Sequence, residues 1–90
     1  MSLRTFLKDP QEVLDFTIDW GLWLDGDTIS SDIWTVGSGI TSDLETSTST
    51  TSTIWLSGGT LATTYTVANR IVTAGGRTAE RTLNISIVTK

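Results

Sequence analysis

The chain has no cysteine and no histidine, and only one of its 90 residues is proline. Without cysteine, neither a disulfide framework nor a thiolate metal site can support the small core that a chain of this length buries. Without histidine there is no general base that titrates near neutral pH, and without cysteine there is no thiol nucleophile. We therefore expect a protein that is not an enzyme. Its stability must come from apolar packing, backbone hydrogen bonds or assembly with other chains.

Basic residues are also few: lysine and arginine total 6 against 10 aspartates and glutamates, so the net charge is −4. An acidic chain with scattered basic residues repels phosphate backbones, and nucleic-acid binding is therefore not expected. No apolar run approaches the roughly 20 residues that cross a bilayer. The segment MSLRTFLKDP lacks the apolar stretch of a secretory signal. We expect no membrane association and synthesis in the cytoplasm, unless a targeting segment lies outside this chain.

Threonine and serine dominate the residues that are present. β-branched side chains lose freedom in helices and suit the pleated surface of a sheet, so this composition favours strands. The first dozen residues show no alternation of apolar and polar side chains. We predict an extended N-terminal arm over residues 1–12, with a single helical turn at residues 9–12 as the alternative. One domain is predicted over residues 13–90.

Alternation begins after Val13 and predicts a strand with one buried face, formed by Leu14, Phe16, Ile18 and Trp20. The pair Asp25-Gly26 predicts a turn. A second strand is predicted near residues 28–36, where the apolar residues fall on both parities. That mixture indicates either two covered faces or a β-bulge that shifts the register.

The polar segment TSDLETSTSTTST follows a glycine-rich turn. A structureless loop of this length is improbable in so short a domain, so we predict an edge hairpin. Its inward residues are expected to be Leu44, Ile54 and Leu56, and its threonine-rich edge would discourage aggregation.

Two further strands are predicted on either side of Gly75-Gly76, which makes them a β-hairpin. The inward parity of the first holds Tyr65, Val67, Asn69 and Ile71. The inward parity of the second holds Ala79, Arg81, Leu83, Ile85 and Ile87. Six or seven short strands at this spacing predict an all-β chain folded as an antiparallel β-sandwich.

The segment before this hairpin contains a glycine turn, then Leu61, which is expected to pack, and Tyr65 at the mouth of a strand. The pattern Leu-x-x-x-Tyr-Thr-Val resembles the tyrosine corner of immunoglobulin-like and fibronectin III-like sandwiches. The resemblance implies that the Tyr65 ring fills the edge of the core while its hydroxyl bonds a backbone group upstream. It also implies that Trp34 is the buried tryptophan of such a sandwich.

Three segments resemble a group of small immunoglobulin-like virion proteins encoded by tailed bacteriophages and prophages. They are KDPQEVLDFTIDW at residues 8–20, GDTISSDIWTV at 26–36 and IWLSGGTLATTYTVANRIVTAGGRTAERTLNI at 54–85. The last segment is the most specific, and residues 42–53 carry little of the resemblance. The resemblance implies an accessory component of the virion, such as a capsid decoration protein or a head or tail protein.

No catalytic, metal or cofactor site is predicted. Ser57 lacks the preceding glycine of a nucleophile elbow, and the chain offers it no histidine partner. Four aspartates could line a calcium loop, because calcium takes several oxygen ligands: Asp19, Asp25, Asp27 and Asp32. Their spacing is not that of an EF-hand, and acidic residues beside a turn are usually solvated, so no calcium site is assigned.

The tryptophans are expected to fall on different faces of their strands, according to the alternation of their neighbours. Trp20 belongs with the core, whereas Trp55 lies between Ile54 and Leu56 and is expected to point outward. An exposed tryptophan is typical of an interface. Burial beneath the chain's own N-terminal arm is the alternative for Trp55. The candidate interface residues are Trp55, Trp23, Arg4, Phe6 and Leu7.

These observations predict a non-enzymatic phage structural protein that acts by adhesion, with capsid decoration as the favoured role. The alternatives are a tail-tube or tail-tip domain and a carbohydrate-binding adhesin module, in which exposed tryptophan stacks on sugars. The expected partners are the major capsid protein or a tail protein, together with further copies of the chain in a homo-oligomer. The expected location is the virion, after synthesis in the cytoplasm of a bacterial host.

Overall fold

The computed structural model describes residues 4–90, which form seven β-strands and one short helix in two facing sheets. The elements are β1 (Arg4–Lys8), β2 (Leu14–Asp19), α1 (Gly21–Leu24), β3 (Ile29–Val36), β4 (Ile40–Ser47), β5 (Thr51–Gly58), β6 (Thr64–Thr73) and β7 (Thr78–Ile87). One sheet has the order β1-β7-β6-β3, and the other has the order β2-β5-β4. The predicted all-β sandwich is confirmed. No helix within residues 4–90 is long and apolar enough to span a membrane.

The core lies between the two sheets and follows the predicted alternation in β2, β6 and β7. Every second residue of these strands points inward, because successive side chains of a strand lie on opposite faces. The buried apolar residues are Phe16, Ile18, Trp20, Leu24, Trp34, Ile40, Ile54, Leu56, Val67, Ile71, Leu83, Ile85 and Ile87.

A β-bulge explains the mixed parity of β3. The pairing of β3 with β6 shifts register between Ile29 and Ser31. After the bulge, Trp34 faces the core opposite Asn69, while Ile33 points outward and is exposed. The bulge is therefore confirmed as the alternative that applies, and the predicted burial of Trp34 is confirmed as well.

The predicted edge hairpin is formed by β4 and β5, in which Ile54 and Leu56 are fully buried. The prediction that Leu44 points inward is wrong: its side chain is 53% exposed. A second register shift, between Ser42 and Leu44, inserts one residue into β4. Leu44 therefore lies opposite Trp55 on the outer face of the sheet.

The loop between β5 and β6 is held by Tyr65, whose hydroxyl accepts a hydrogen bond from the Thr60 N–H at 2.9 Å. This confirms the bond that the tyrosine pattern predicted. The prediction that Leu61 packs is wrong, because the loop is attached through its backbone: the Ala62 N–H donates to the Ile87 carbonyl, and Leu61 is left exposed. Gly59 lets the loop pass closely over Ile87, since its φ is 99° and an added Cβ would lie 2.7 Å from the Ile87 Cδ1.

The N-terminal strand β1 lies at the edge of the four-stranded sheet and pairs in parallel with β7, whereas the other strand pairs of residues 4–90 are antiparallel. Phe6 of β1 faces the core and packs against Phe16 with 5.2 Å between ring centroids. A turn follows, in which the Asp9 carboxylate accepts from the Gln11 N–H and the Glu12 carboxylate accepts from the Asp9 N–H. The favoured extended conformation thus applies to residues 4–8, and residues 1–3 of the predicted arm lie outside the described residues.

Two buried polar contacts join the sheets. The Trp20 Nε1–H donates to the Asn69 Oδ1 at 3.0 Å, and both side chains are buried. At the opposite end of the sandwich, the buried Lys8 Nζ donates to the Gly58 carbonyl at 2.7 Å. Because a buried polar group that loses its hydrogen-bond partner costs free energy, these contacts fix the two sheets relative to one another.

Candidate interaction site

The structure places Trp55 at the centre of the outer face of the β2-β5-β4 sheet. Its strand neighbours are Asp15 on β2 and Leu44 on β4. The Trp55 side chain is 37% exposed, and the Leu44 side chain beside it is 53% exposed. We call the surface of these three residues, together with Thr17 and Thr53, the Trp55 face.

Polar groups surround the apolar pair of the Trp55 face. The hydroxyls of Thr17 and Thr53 bond one another at 2.8 Å across β2 and β5. Burial beneath the N-terminal arm is the alternative predicted for Trp55. Strand β1 belongs to the other sheet, so residues 4–8 of that arm do not cover Trp55. An apolar centre within a polar rim is the arrangement found at protein–protein contacts.

A second exposed surface is the turn after β2, residues 21–27, which we call the α1 tip. The Asp19 carboxylate accepts from the Gly21 N–H at 2.8 Å and fixes the start of the turn. Leu24 is buried in the core, whereas Leu22 is 100% exposed. The turn ends at Asp25, whose φ of 49° is left-handed. The α1 tip therefore presents one large apolar side chain to solvent on a fixed backbone.

Arg77, from the β6–β7 hairpin, binds the α1 tip through hydrogen bonds and a ring contact. Its guanidinium donates to the Leu24 carbonyl at 2.7 Å and to the Asp27 carboxylate at 3.2 Å. It also lies 4.3 Å from the centroid of the Trp23 ring, in a cation–π geometry. Trp23 also contacts Trp20, with 5.5 Å between ring centroids, and its side chain is half-buried within its own chain.

The Asp27 carboxylate is fixed by hydrogen bonds from Arg77 and from neighbouring groups, and it is not part of an acidic cluster. Hydrogen bonds from the Thr73 hydroxyl, first, and then from the Thr28 and Gly75 amides and Arg77 lower the pKa of Asp27 to about 2. Within residues 4–90, no three side chains among the acids are placed to hold a metal ion. The four aspartates considered for calcium therefore do not converge in the structure.

A cavity of about 140 Å³ opens at the side of the sandwich beside edge strands β1 and β2. It is lined by Arg4, Thr17, Ile18, Asp19, Arg81 and Leu83. The Arg81 guanidinium lies 4.3 Å from the centroid of the Trp20 ring, and Arg4 lies 5.5 Å from that of Phe6. Two cationic side chains therefore meet at one opening.

The five predicted interface residues are distributed over separate parts of the molecule. Trp55 lies on the outer face of one sheet, and Leu7 is exposed on the outer face of the other. Arg4 and Phe6 lie on the inward side of β1 near the cavity, and Trp23 lies in the α1 tip. The structure brings Arg4 and Phe6 together but does not join them to Trp55. Their role in an interface stays a prediction.

The podophage GP4 fiber-tail adaptor protein gp77 family matches residues 8–86, which run from the end of β1 to the end of β7. The chain belongs to this family. A comparison with curated proteins finds no match. Membership in the fiber-tail adaptor family confirms the predicted phage structural protein, a virion component made in the cytoplasm of the host whose partners are other phage structural proteins.

Sequence reasoning missed three residues that the structure places at an exposed surface or in the cavity. The sequence indicates an unusual position for Leu22, because it is an apolar residue in a predicted turn. It also indicates one for Arg81, which shares the inward parity of Leu83 and Ile85, because a charged side chain is rarely buried without a partner. The sequence does not indicate the outward position of Leu44, because the bulge that turns this residue outward lies among polar residues.

Proposed function

We propose that the protein is a non-enzymatic adaptor that joins a tail fiber to the tail of a podophage virion. The observation that carries this proposal is the family match over residues 8–86, which spans nearly the whole sandwich. An adaptor needs at least two separate contact surfaces on one rigid body. The Trp55 face and the α1 tip meet this requirement, because they lie on different parts of the sandwich and each exposes a large apolar side chain.

The Trp55 face is proposed as the principal contact. Tryptophan is enriched among the few residues that carry most of the energy of an interface, and loss of one such residue costs about 2 kcal/mol or more. That loss corresponds to a decrease in affinity of roughly 30-fold. The flat pair of Trp55 and Leu44 offers apolar area, while the neighbouring threonines offer hydroxyls for the polar rim.

The mechanism is adhesion without chemistry. The chain has no histidine or cysteine, and the surfaces described consist of apolar, hydroxyl, carboxylate and guanidinium groups. Repeated copies around a symmetric tail would multiply a modest affinity per copy through avidity. Contacts between adjacent copies belong to the same proposal.

Purified protein tests the proposal directly. Tails that lack the protein, isolated fibers and empty capsids are each sedimented with the wild-type chain, and the bound fraction is measured. We expect binding to tails and fibers. Binding to capsids alone would favour decoration of the capsid, the role that the sequence resemblance first favoured, and would refute the adaptor function. Binding to glycans on an array, without binding to virion parts, would favour the adhesin alternative.

Trp55→Ala tests the contact surface, with Val72→Ala as the matched control. Val72 is 38% exposed, close to the 37% of Trp55, but lies on the outer face of the opposite sheet. We expect W55A to fold, as judged by circular dichroism, and to bind tails or fibers roughly 30-fold more weakly. V72A should bind as wild type. A folded W55A protein with unchanged affinity for both would remove Trp55 from the interface.

The immunoglobulin-like class of the sandwich is also a proposal. The hydrogen bond of the Tyr65 hydroxyl and the buried position of Trp34 support it. An experimental structure of the protein, compared strand by strand with immunoglobulin-like domains, would test it. A different strand connectivity would refute it.

A further inference from the structure

The two arginines at the cavity beside β1 and β2 have no carboxylate partner among residues 4–90. The ion pairs of this part of the chain join Arg70 to Glu80, Arg77 to Asp27 and Lys90 to Glu12. Arg4 and Arg81 both line the cavity. In a protein with a net charge of −4, two arginines left without acidic partners at one opening are a local concentration of positive charge.

Aromatic rings hold both guanidinium groups in position. The buried Trp20 ring lies under Arg81 at 4.3 Å, and the Phe6 ring lies under Arg4 at 5.5 Å. Arg81 also donates one hydrogen bond, from Nη1 to the Asp19 carbonyl at 3.3 Å. A guanidinium has five N–H donors in a fixed fork, so further donors are available for a ligand. A site that is held in place before binding loses less entropy when the ligand binds.

The charge and size of the cavity select the ligand. Asp19 is the one acidic residue of the lining, so the formal charges of the lining residues sum to one positive charge, which suits a monoanion better than a phosphate dianion. The volume of about 140 Å³ is below the roughly 300–1,000 Å³ of pockets for whole small molecules. A single carboxylate side chain meets both requirements, and arginine forks bind carboxylates in a bidentate manner.

We propose that this cavity is a pocket for the side-chain carboxylate of an aspartate or glutamate of a partner protein in the virion. The source of the carboxylate rests on the proposed adaptor function. Trp20, which supports Arg81, directly precedes the α1 tip.

Titration with propionate, which reproduces the end of a glutamate side chain, tests the pocket in the isolated full chain. The arginine Nε–H and Trp20 indole N–H signals are followed by NMR. Propionamide, sodium chloride and inorganic phosphate serve as comparison ligands at equal ionic strength. We expect saturable shifts with propionate alone. Arg81→Gln and, separately, Arg4→Gln should weaken propionate binding at least tenfold, whereas Arg70→Gln, which alters an ion-paired arginine outside the cavity, should not.

Two results would overturn the pocket. One is a propionate response no larger than that of propionamide or chloride. The other is an unchanged response in both R81Q and R4Q, each verified as folded by circular dichroism. Phosphate that binds as tightly as propionate would overturn the preference for a carboxylate.

Sedimentation with tails and fibers separates this inference from the adaptor function. An R4Q/R81Q protein that binds at least tenfold more weakly than wild type supports a partner carboxylate. The same variant with unchanged binding overturns the partner assignment and leaves the adaptor function standing. A wild-type chain that binds neither tails nor fibers refutes the adaptor function, and the propionate titration then decides the pocket by itself.

Discussion

The buried hydrogen bond between the Trp20 indole and the Asn69 amide predicts strong coupling between the two sheets. Asn69→Leu keeps a side chain of similar size but removes the acceptor, so the buried Trp20 N–H is left without a partner. An unpaired buried donor costs about 1–3 kcal/mol. For a domain of this size, a loss of 2 kcal/mol lowers Tm by roughly 8–16 °C.

A double-mutant cycle isolates the contribution of the bond. Trp20→Phe leaves the Asn69 oxygen unpaired and also leaves space in the core, so we expect a loss of about 3 kcal/mol. The W20F/N69L protein contains neither polar group. It should therefore be destabilised by about 1–2 kcal/mol less than the sum of the two single changes, which is the coupling energy of the pair.

Guanidinium unfolding followed by far-ultraviolet circular dichroism measures these free energies without relying on tryptophan fluorescence. The dependence of the free energy on denaturant should be unchanged, since the fold is the same. A parallel cycle of W20F with Ile71→Val, a buried apolar residue two positions along β6, controls for packing and should show weaker coupling. Additivity of W20F and N69L within about 0.3 kcal/mol would refute the role assigned to the hydrogen bond.

Three further predictions concern stability. Leu24→Ala should lower the free energy of unfolding by about 2–5 kcal/mol, because Leu24 is buried. Leu22→Ala should change it by less than about 0.5 kcal/mol; equal losses in urea unfolding would contradict the assigned geometry. The pKa of Asp27 is lowered to about 2 in the folded state, so between about pH 2 and 4 the folded state binds fewer protons than the unfolded chain. The ionised Asp27 therefore stabilises the fold above about pH 4, and this stabilisation is lost as the pH falls towards 2. Urea unfolding at pH 5 and pH 2.5 should show a smaller decrease for Asp27→Asn than for wild type, and an equal decrease would refute this assignment. Burial lowers the pKa of Lys8 from 10.5, so the unfolded chain binds more protons between the lowered pKa and 10.5, and the stability contributed by this group should rise with pH there. Lys8→Met should show a smaller rise than wild type in unfolding measurements from pH 8 to 10.5, and an equal rise would contradict the assignment.

The sequence was sufficient to predict the elements whose pattern is local. The alternation in β2, β6 and β7 identified the core faces, because one side of each strand is apolar along its length. The hydrogen bond of the Tyr65 hydroxyl was implied by the resemblance of the surrounding segment to a tyrosine corner, and it joins residues only five positions apart.

Features that depend on distant contacts were not predictable in the same way. Strand β1 shows no alternation because its inward positions include Arg4 and Lys8, whose charges are accommodated by the cavity and by the Gly58 carbonyl. The outward position of Leu44 depends on a bulge among serine and aspartate residues that carry no periodic signal. The hydrogen bonds of Arg77 to the α1 tip join positions about 50 residues apart.

The candidate site was predictable only in part for a related reason. Parity alone indicated that Trp55 points outward, and the structure places it there. Parity could not show that Leu44 lies beside it, nor that Arg4 and Arg81 share a cavity, since each pair is brought together by strand pairing or by the contact of the two sheets.

The parallel pairing of β1 with β7 has a consequence for biosynthesis. Its register joins residues 4–8 to residues 83–87, which are separated by nearly the whole length of the chain. During translation, the first strand leaves the ribosome long before the strand that it must pair with. Contacts of such high sequence separation slow folding, so an edge of the nascent chain stays open to association with other chains until the last strand emerges.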